Sequence, residues 1–380
     1  MRLVRSILSR FTAKGMDAVP MESALVVGTG LIGTSAALAL KARGVAVYLR
    51  DEDPAAVRIA SSLGAGTLDA PRQTVDLAVV AVPPALVPDV LVGLQADGVA
   101  RHYTDVASVK SGPQQEAFAR DCDSARYVGG HPMAGSERSG PLAARADLFV
   151  GCNWVLTPTP DADTETLNTT LELVALCGAV PVVMEADVHD RAVGLVSHAP
   201  HVVASLVAAL LERAEERAVR LAGSGVHDLT RIAAADPGLW VDILGANALV
   251  VADLLEELSD GMDDAVAGLR AMAATDEEKR EGGARTVEDL LRRGRSGRAR
   301  IPAKRGILPE QYETVTIEIG DQPGELARLF TDASRVGVNV EDVRLEHSAG
   351  QPTGLVHLSV ARDLMDVLTA ELRKGVWRRR

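Results

Sequence analysis

The chain has 380 residues, a formal net charge of −12 and an isoelectric point near 5.2. This length exceeds one typical hydrophobic core, so two or three domains are expected. Nucleic acid and anionic membranes are disfavoured as main partners, because both require a basic protein face. Small anionic substrates remain compatible with the composition, since they need only local positive charge.

Cysteine usage and hydropathy predict a cytoplasmic protein. Cys122, Cys152 and Cys177 are far apart and form no CxxC pair or zinc-binding spacing, which favours a reducing compartment. The most apolar stretch, Leu195–Leu211, is interrupted by two histidines and a proline, so no membrane span is predicted. Residues 1–21 carry basic side chains without a long apolar segment, and a disordered tail is favoured over a transit peptide.

Residues 22–185 alternate short Val/Ala/Leu runs with segments of helical period. The runs predicted as buried strands are Ser23–Gly28, Val45–Arg50, Asp76–Pro84, His102–Ser108 and Asn153–Pro158. This rhythm predicts an α/β, Rossmann-type domain with a mostly parallel sheet covered by helices on both faces.

The remaining chain predicts two further domains. Residues 186–291 lose the strand signal and are Ala/Leu/Val-rich with helical period, which predicts an all-α domain that forms a homodimer. The basic, Gly/Pro-punctuated segment 292–311 predicts a solvated linker. Residues 312–376 then follow a strand–helix–strand–strand–helix pattern, typical of a small α+β unit of the βαββαβ, ferredoxin-like type.

The first strand–helix turn carries a dinucleotide-binding pattern, Gly28-x-Gly30-x-x-Gly33. Glycines at these positions allow a tight turn, an approach of the pyrophosphate to the backbone and close helix packing. Asp51, at the end of the second strand, should accept hydrogen bonds from a ribose 2′-hydroxyl and favours NAD, although Arg50 could meet the 2′-phosphate of NADP. Further cofactor contacts are expected from Thr29, Leu31, Ile32, Val82, Pro83 and Ser108.

Chemistry in an open parallel sheet collects beyond the carboxyl ends of its strands. Ser108, Lys110 and His131 are therefore expected near the nicotinamide, with Gly129 and Gly130 turning the chain sharply out of a strand. A histidine can take a proton from an alcohol as hydride leaves the carbon, and Ser108 can orient the same hydroxyl. Lys110 is equally compatible with a position at a helix start that has no catalytic role.

The helical segment contains further candidate residues. His198 and His201 are three apart and share a helix face, and His189 lies nearby; metal binding is disfavoured because no set of carboxylates accompanies them. Arg231 lies in an otherwise apolar segment, nine residues before Trp240. It suits a structural ion pair or a bidentate clamp for a substrate carboxylate, and the clamp is favoured.

Five motifs occur in one order along the chain: GTGLIG, DxxSVK, GGHPMAGSE, SHxPH and DxTRIAxxDPxxW. Over residues 22–290 this combination resembles the prephenate dehydrogenase (TyrA-type) family. The resemblance implies that hydride leaves C4 of prephenate for NAD⁺ while carbon dioxide leaves the ring. The product is 4-hydroxyphenylpyruvate, in tyrosine biosynthesis.

The resemblance also implies roles for particular residues. His131 would accept the proton of the 4-hydroxyl with help from Ser108, and Arg231 would grip a substrate carboxylate. The other substrate-site residues implied are His201, Ser136 and Glu137. The role of Glu137 is open between gating the substrate, bonding a neighbouring subunit and forming a surface ion pair.

The segment DQPGELA, Asp321–Ala327, resembles the opening of an ACT domain, a small amino-acid-sensing unit. The resemblance implies that an aromatic amino acid, most plausibly tyrosine, binds this domain and inhibits the enzyme. The expected ligand contacts are Gln322, Pro323, Gly324 and Asn339. A purely structural dimerisation module is the alternative.

Three other functions are alternatives to prephenate dehydrogenation. Arogenate differs from prephenate only in its side chain, and nothing in the sequence separates the two substrates. A β-hydroxyacid dehydrogenase would share the architecture, but the HPMAGSE segment and the ACT-like tail argue against it. A non-catalytic sensor of NAD and amino acids is disfavoured because His131, Ser108 and Arg231 are all present.

Overall fold

The computed structural model describes residues 20–135, 139–301, 312–320, 322–347, 353–374 and 377–379. The chain divides into two compact units, Met1–Leu258 and Ser259–Arg380. The first unit holds the α/β domain and most of the helical domain. The second begins inside a long helix and ends with the small α+β domain.

A seven-stranded sheet forms the centre of the first unit, with strand order β2-β1-β3-β4-β5-β6-β7. The strands are β1 (Ser23–Val27), β2 (Ala46–Arg50), β3 (Val75–Val80), β4 (Ala100–Asp105), β5 (Tyr127–Pro132), β6 (Asn153–Pro158) and β7 (Val180–Val183). All neighbours run parallel except β5 and β6, which are antiparallel. The predicted Rossmann-type class is confirmed, and β1, β3, β4 and β5 bring their carboxyl ends to one edge of the sheet.

Helices cover both faces of this sheet. They are α1 (Leu31–Ala42), α2 (Pro54–Ser62), α3 (Val87–Ala96), α4 (Ser111–Ala119) and α5 (Thr164–Leu176). Alternate strand residues enter two separate buried clusters, as the pleat of a strand requires: Val26 packs with α1, whereas Leu25 packs with α3. Burial on both faces explains why these strands are continuous apolar runs.

The helical domain follows directly after β7. Its helices are α6 (Ala186–Val193), α7 (Ala199–Glu212), α8 (Glu216–Val219), α9 (Ser224–Thr230), α10 (Pro237–Ala246) and α11 (Ala248–Met272). A wider π-helical turn, Gly194–His198, joins α6 to α7. Several apolar side chains of this region are largely exposed on the single chain, with Leu210 at 75% and Leu249 at 83%. These exposed side chains suit burial against a second subunit.

Among the described residues, one helical run, Ala186–Glu212, is long and apolar enough to cross a bilayer. A second segment meets the same length and hydropathy criteria only if two helices bent against each other, Pro237–Ala246 and Ala248–Met272, are counted as one span. The run carries His189, Asp190 and His198 in buried positions. These polar side chains belong to the site described below. The run is therefore better explained as a helix that supports the site and buries its other face against protein.

The second unit contains a helix where a linker was predicted. Helix α12 spans Glu277–Ala299, so the first eight residues of the predicted 292–311 linker are helical. Asp276 caps the helix by accepting a hydrogen bond from the backbone N–H of Lys279 at 2.9 Å. Arg292 and Arg293 pair with Asp289 one turn earlier, at 3.5 and 3.1 Å. A cap and local ion pairs thus favour the helix despite its glycines.

The C-terminal domain is a four-stranded antiparallel sheet with order β11-β8-β10-β9, packed against two helices. Its elements are β8 (Tyr312–Gly320), α13 (Glu325–Arg335), β9 (Val340–His347), β10 (Thr353–Ala361), α14 (Met365–Lys374) and β11 (Arg378–Arg379). Alternate residues of β8 and β10 join Leu329 and Leu368 in one buried cluster. The predicted small βαββαβ domain is confirmed.

Candidate active site

The glycine-rich turn between β1 and α1 has three glycines with two different tasks. Gly28 has φ of +98°, and a Cβ there would lie 2.3 Å from the carbonyl oxygen of Ala81. A Cβ at Gly33 would lie 2.0 Å from the carbonyl oxygen of Gly28. Around Gly30, by contrast, no heavy atom lies within 4 Å of the Cβ position. Two glycines therefore permit close packing, and the third leaves open space above the backbone.

Helix α1 starts at this open space and presents its amino end there. No side chain caps it, and Gly30 occupies the capping position. The side chains of Leu31 and Ile32 pack against a buried cluster of the sheet, so these residues offer a ligand their backbone N–H groups. Unpaired N–H groups and the helix dipole make such a terminus a binding site for phosphate.

The carboxylate of Asp51 is fixed at the same turn. Its Oδ2 accepts hydrogen bonds from the backbone N–H of Thr29 and, at 2.7 Å, from the Thr29 hydroxyl. Its Oδ1 accepts the N–H of Asp53 at 2.9 Å. A carboxylate has further lone pairs, so an oriented Asp51 can still accept from a ribose hydroxyl.

A cleft of about 550 Å³ opens beside these groups. Its lining includes Gly28, Gly30, Arg50, Asp51, Val82 and Pro83, and also the acidic residues Glu52, Asp89 and Asp97. A 2′-phosphate in this cleft would face several carboxylates and one arginine, Arg50. The charge of the cleft therefore favours NAD over NADP.

Replacing Asp51 by serine should raise the KM for NAD⁺ by about 10- to 100-fold, because a hydrogen bond to a charged group contributes roughly 1.5–3 kcal/mol. The measurement is the NAD⁺ dependence of the initial rate. Asp53→Ser is the matched control, since Asp53 caps α2 through the N–H of Ala55 and does not line the cleft. An Asp51→Ser enzyme with an unchanged KM for NAD⁺ would remove Asp51 from the cofactor site.

Lys110 lies after β4, and its ammonium group points into the protein. Its side chain is fully buried, pairs with the carboxylate of Asp105 and donates to the carbonyl oxygen of Gly130 at 2.7 Å. The hydroxyl of Tyr127 donates to the same Asp105. Burial lowers the pKa of Lys110, while the Asp105 carboxylate acts in the opposite direction. Lys110 lies at a helix start, directly before α4, as the alternative predicted, and it does not line the nucleotide cleft; its side chain holds β4 to β5.

His131 lies within a strand, and the prediction of a sharp turn at Gly129 and Gly130 is wrong. It is the fifth residue of β5 and pairs with Val155 of β6. A Cβ at Gly129 would lie 2.5 Å from the Thr157 hydroxyl oxygen, and a Cβ at Gly130 would lie 2.6 Å from the carbonyl oxygen of Asp105. The two glycines therefore permit close packing around β5. They place His131 near the carboxyl end of the strand, on the sheet edge that carries the nucleotide-binding turn.

A chain of hydrogen bonds leads away from His131. Its Nδ1 lies 2.8 Å from Nε2 of His189, and Nδ1 of His189 lies 2.8 Å from Oδ1 of Asp190. The carboxylate of Asp190 also accepts the backbone N–H groups of Lys110 and Ser111, each at 2.8 Å. Neither His189 nor Asp190 was assigned a role from the sequence. The adjacent His-Asp pair in an otherwise helical, apolar segment is the signal that could have identified them.

The protonation of this chain follows from its surroundings. Burial, together with the nearby His189, Lys110 and His198, holds the pKa of His131 well below its usual value. Burial acts to raise the pKa of Asp190, but hydrogen bonds from His189 and from backbone N–H groups outweigh it and lower that pKa. At neutral pH, His131 is therefore a neutral imidazole and Asp190 is a carboxylate.

Two of the predicted histidines of the helical domain, His198 and His201, lie against Trp240. The ring of His201 stacks on Trp240 with centroids 3.5 Å apart, and the edge of His198 faces it at 6.2 Å. Burial lowers the pKa of His201, and it lowers the pKa of His198 to about 4 although the charge of Asp190 acts in the opposite direction. Nδ1 of His201 is buried without a hydrogen-bond partner among the described residues. His201 is thus a neutral ring stacked on the face of Trp240.

Four other residues predicted from the sequence differ in what the structure shows of them. Arg231 is exposed on a short 3₁₀ turn, Arg231–Ala234, and none of the described acidic side chains pairs with it. Ser108 is half-buried between β4 and α4. Ser136 and Glu137 lie outside the described residues. In the part of the chain that is described, no group of His, Cys, Asp and Glu side chains could hold a metal ion.

The Rossmann-type cleft, with a neutral histidine on the same sheet edge, indicates an NAD-dependent oxidoreductase. A family model for the nucleotide-binding domain of prephenate dehydrogenase matches residues 36–183, and one for its dimerization domain matches residues 185–279. The probable prephenate dehydrogenase NovF of Streptomyces niveus is 43% identical over 359 residues, covering 94% of this chain and 99% of NovF. The chain belongs to the prephenate dehydrogenase family.

Other relatives agree with this assignment. The prephenate dehydrogenase of Lactococcus lactis subsp. cremoris is 30% identical over 351 residues, covering 87% of this chain and 92% of the relative. A crystal structure of prephenate dehydrogenase from A. aeolicus, in complex with hydroxyphenyl propionate and NAD⁺, has a TM-score of 0.63 at 27% identity. The match covers 74% of this chain and 99% of that one.

Proposed function

We propose that this enzyme catalyses the oxidative decarboxylation of prephenate to 4-hydroxyphenylpyruvate in tyrosine biosynthesis, and that it does so in the cytoplasm as a homodimer. The observation that carries the proposal is His131, an imidazole kept neutral on the sheet edge of the nucleotide cleft. A neutral imidazole is the form that accepts a proton from an alcohol. The family assignment supplies the substrate.

Bound NAD⁺ would supply the hydride acceptor in this reaction. The proton of the 4-hydroxyl moves to His131 as hydride leaves C4, and Ser108 orients the hydroxyl. The ring carboxylate leaves as carbon dioxide, and the electrons of its bond complete the aromatic ring. The product keeps its hydroxyl, so His131 returns its proton to the phenol oxygen and no net proton is released.

The dianionic substrate requires local positive charge in an acidic protein. Arg231 is exposed and unpaired within the described part of the chain, which suits a bidentate clamp on a carboxylate. His201 and Trp240 would supply a flat wall for the ring of the substrate. Ser136 and Glu137 are assigned to the substrate site by resemblance alone.

Arg231→Ala should raise the KM for prephenate by about 10- to 100-fold with a smaller change in kcat, since a charge-assisted hydrogen bond contributes roughly 1.5–3 kcal/mol. Initial rates at saturating NAD⁺ test this. Arg217→Ala is the matched control, because Arg217 is also exposed and pairs only locally, with Glu215 at 2.6 Å. Equal KM values in the two variants would exclude Arg231 from substrate binding.

Arogenate is the second candidate substrate. A crystal structure of arogenate dehydrogenase from Synechocystis matches this chain with a TM-score of 0.61 at 25% identity, covering 73% of this chain and 98% of that one. Parallel assays of NADH formation with prephenate and arogenate decide between them. A higher kcat/KM for prephenate supports the proposal, and a preference for arogenate overturns the choice of substrate.

The small C-terminal domain is proposed to bind tyrosine and inhibit the enzyme. Its candidate ligand contacts, Gln322, Pro323, Gly324 and Asn339, are exposed in the structure. Gly324 has φ of +95° and occupies the capping position directly before α13, so this turn requires a residue that accepts a left-handed conformation. Calorimetric titration of the full chain with tyrosine tests the proposal. If millimolar tyrosine produces neither binding heat nor inhibition, the regulatory proposal is rejected and the domain has a structural role only.

A further inference from the structure

We propose that His189 and Asp190 are positioning residues that select the tautomer of His131, so that its unprotonated nitrogen is Nε2. The inference rests on the proposed function in one respect only, the use of His131 as the base. It is carried by the two hydrogen bonds that join His131 to His189 and His189 to Asp190. Neither residue need touch the substrate.

The direction of each hydrogen bond follows from the carboxylate at the end of the chain. An ionised carboxylate can only accept, so Nδ1 of His189 must carry the proton that it donates to Asp190. A neutral His189 with a proton on Nδ1 has its lone pair on Nε2. That lone pair can only accept, so Nδ1 of His131 must carry a proton and donate it. A neutral His131 is then left with its lone pair on Nε2, the remaining ring nitrogen.

Several further contacts hold this chain in one geometry. His189 and Asp190 are both buried, at 0% and 4% exposure. The two backbone N–H groups of Lys110 and Ser111 fix the carboxylate of Asp190. Asn247 donates to the backbone carbonyl of Asp190 at 2.9 Å. Through the N–H groups of Lys110 and Ser111, the carboxylate of Asp190 connects α6, the helix that carries His189, to the start of α4, shortly after Ser108.

The arrangement also assists the step in which His131 takes a proton. Protonation at Nε2 makes His131 a cation that keeps its proton on Nδ1 and donates it to His189. The negative charge of Asp190 lies one ring away and stabilises this cation through the His189 bridge. The family base is therefore oriented and polarised by groups that the substrate does not reach.

Substitutions at His189 test the directional argument. Glutamine has an acceptor oxygen for His131 and a donor N–H for Asp190, so His189→Gln preserves the direction of both hydrogen bonds. Methionine has similar length but neither group. We expect His189→Gln to retain at least about tenfold more kcat than His189→Met, with a similar KM for NAD⁺ in both. Equal kcat values would overturn a directional role for His189.

Asp190→Asn tests whether the negative charge of Asp190 is needed. Either orientation of the asparagine amide turns an NH₂ group toward the backbone N–H of Lys110 or of Ser111, and the negative charge is lost in both. Protonated His131 then lacks the charge that stabilises it, so kcat should fall by on the order of 10²- to 10⁴-fold. NAD⁺ binding, followed by protein fluorescence, should be unchanged and reports that the variant is folded. An Asp190→Asn enzyme with near-normal kcat would contradict the proposal.

The tautomer itself can be observed without a reaction. In the wild-type enzyme labelled with ¹⁵N-histidine, His131 is expected to show a protonated Nδ1 and an unprotonated Nε2 above its pKa, with His131→Asn used to assign the signals. His189→Met removes the acceptor for Nδ1 of His131 and should abolish this preference. A protonated Nε2 in the wild type would overturn the inference even if prephenate is the substrate. Absence of turnover with prephenate would instead reject the proposed function and leave the tautomer measurement valid.

Discussion

His131→Asn should reduce kcat by on the order of 10²- to 10⁴-fold while leaving the KM for NAD⁺ close to that of the wild type. Asparagine keeps a polar side chain near the substrate hydroxyl but has no group that accepts a proton at neutral pH. The loss therefore falls on the chemical step. Initial rates of NADH formation with prephenate, at saturating NAD⁺, give both constants.

The pH dependence of kcat/KM adds a second readout for the same residue. Burial and the neighbouring His189, Lys110 and His198 hold the pKa of His131 well below its usual value. A base must be neutral, so activity should be present above this lowered pKa and be lost as the pH falls through it. The acid limb should therefore lie below the range of an ordinary histidine, and His131→Asn should remove it.

His227→Asn is the matched control, because His227 is an exposed histidine on α9 outside the site. It should keep the wild-type kcat and the wild-type acid limb. If His131→Asn turned over at near-wild-type rates, or kept the same acid limb as the control, the assignment of the base would be wrong.

The nucleotide-binding turn could be predicted because its glycines have a fixed spacing between a strand and a helix. Gly33 packs against the carbonyl oxygen of Gly28 within that turn, and the positive φ of Gly28 also requires a glycine. The strand and helix around them are encoded by apolar runs that any Rossmann-type sheet requires. This pattern was therefore enough to predict the fold class, although the contact of Gly28 with Ala81 was not predictable from it.

The glycines before His131 show where this reasoning stops. A Gly-Gly pair usually marks a turn, yet Gly129 and Gly130 lie in β5 because atoms of neighbouring elements leave no room for a Cβ. Those atoms belong to Asp105 and Thr157, which are distant in sequence. The correct conformation depends on which strands become neighbours, and the periodicity of one segment cannot give that information.

The hydrogen-bonded chain from His131 to Asp190 was not predicted for the same reason. His131 and His189 are 58 positions apart, and their contact requires the helical domain to pack on the sheet edge after β5. For Lys110, the sequence left two positions open, one near the nicotinamide and one at a helix start. A lysine that is fully buried becomes plausible only once Asp105 and the carbonyl of Gly130 are seen around it.

The full length of α12, by contrast, was predictable from the sequence, because its capping residue and its ion pairs are close together in the chain. Asp276 is a strong capping residue, and Asp289 lies three and four positions before two arginines. Glycines and basic residues led to a linker prediction. Counting the possible ion pairs at helical spacing would have extended the helix to Ala299.

Lys110→Met should destabilise the α/β domain by about 3–5 kcal/mol, the cost of leaving a buried charge without its partner. Methionine fills a similar volume but cannot compensate the carboxylate of Asp105, which is completely buried in the wild type. The substitution also removes the hydrogen bond to the carbonyl oxygen of Gly130. Both losses weaken the connection between β4 and β5.

The measurement is urea unfolding followed by the fluorescence of Trp154, which is buried in β6. The chain has three tryptophans, so Trp240→Phe and Trp377→Phe in the background make this signal specific to the sheet. Arg120→Met is the matched control: Arg120 also pairs with carboxylates, those of Asp89 and Glu116, but at the exposed surface. Its midpoint should change little, because solvent screens exposed pairs.

The double variant Lys110→Met with Asp105→Asn separates the charge from the packing. Asparagine keeps an acceptor for the N–H of Ala107 and removes the uncompensated charge. If the unpaired carboxylate is the main cost, the double variant should recover much of the lost stability, since neutral replacements of buried pairs cost far less than broken ones. If the double variant has the same free energy of unfolding as Lys110→Met, Lys110 stabilises the sheet through packing. The pairing of its charge with Asp105 would then contribute little to stability.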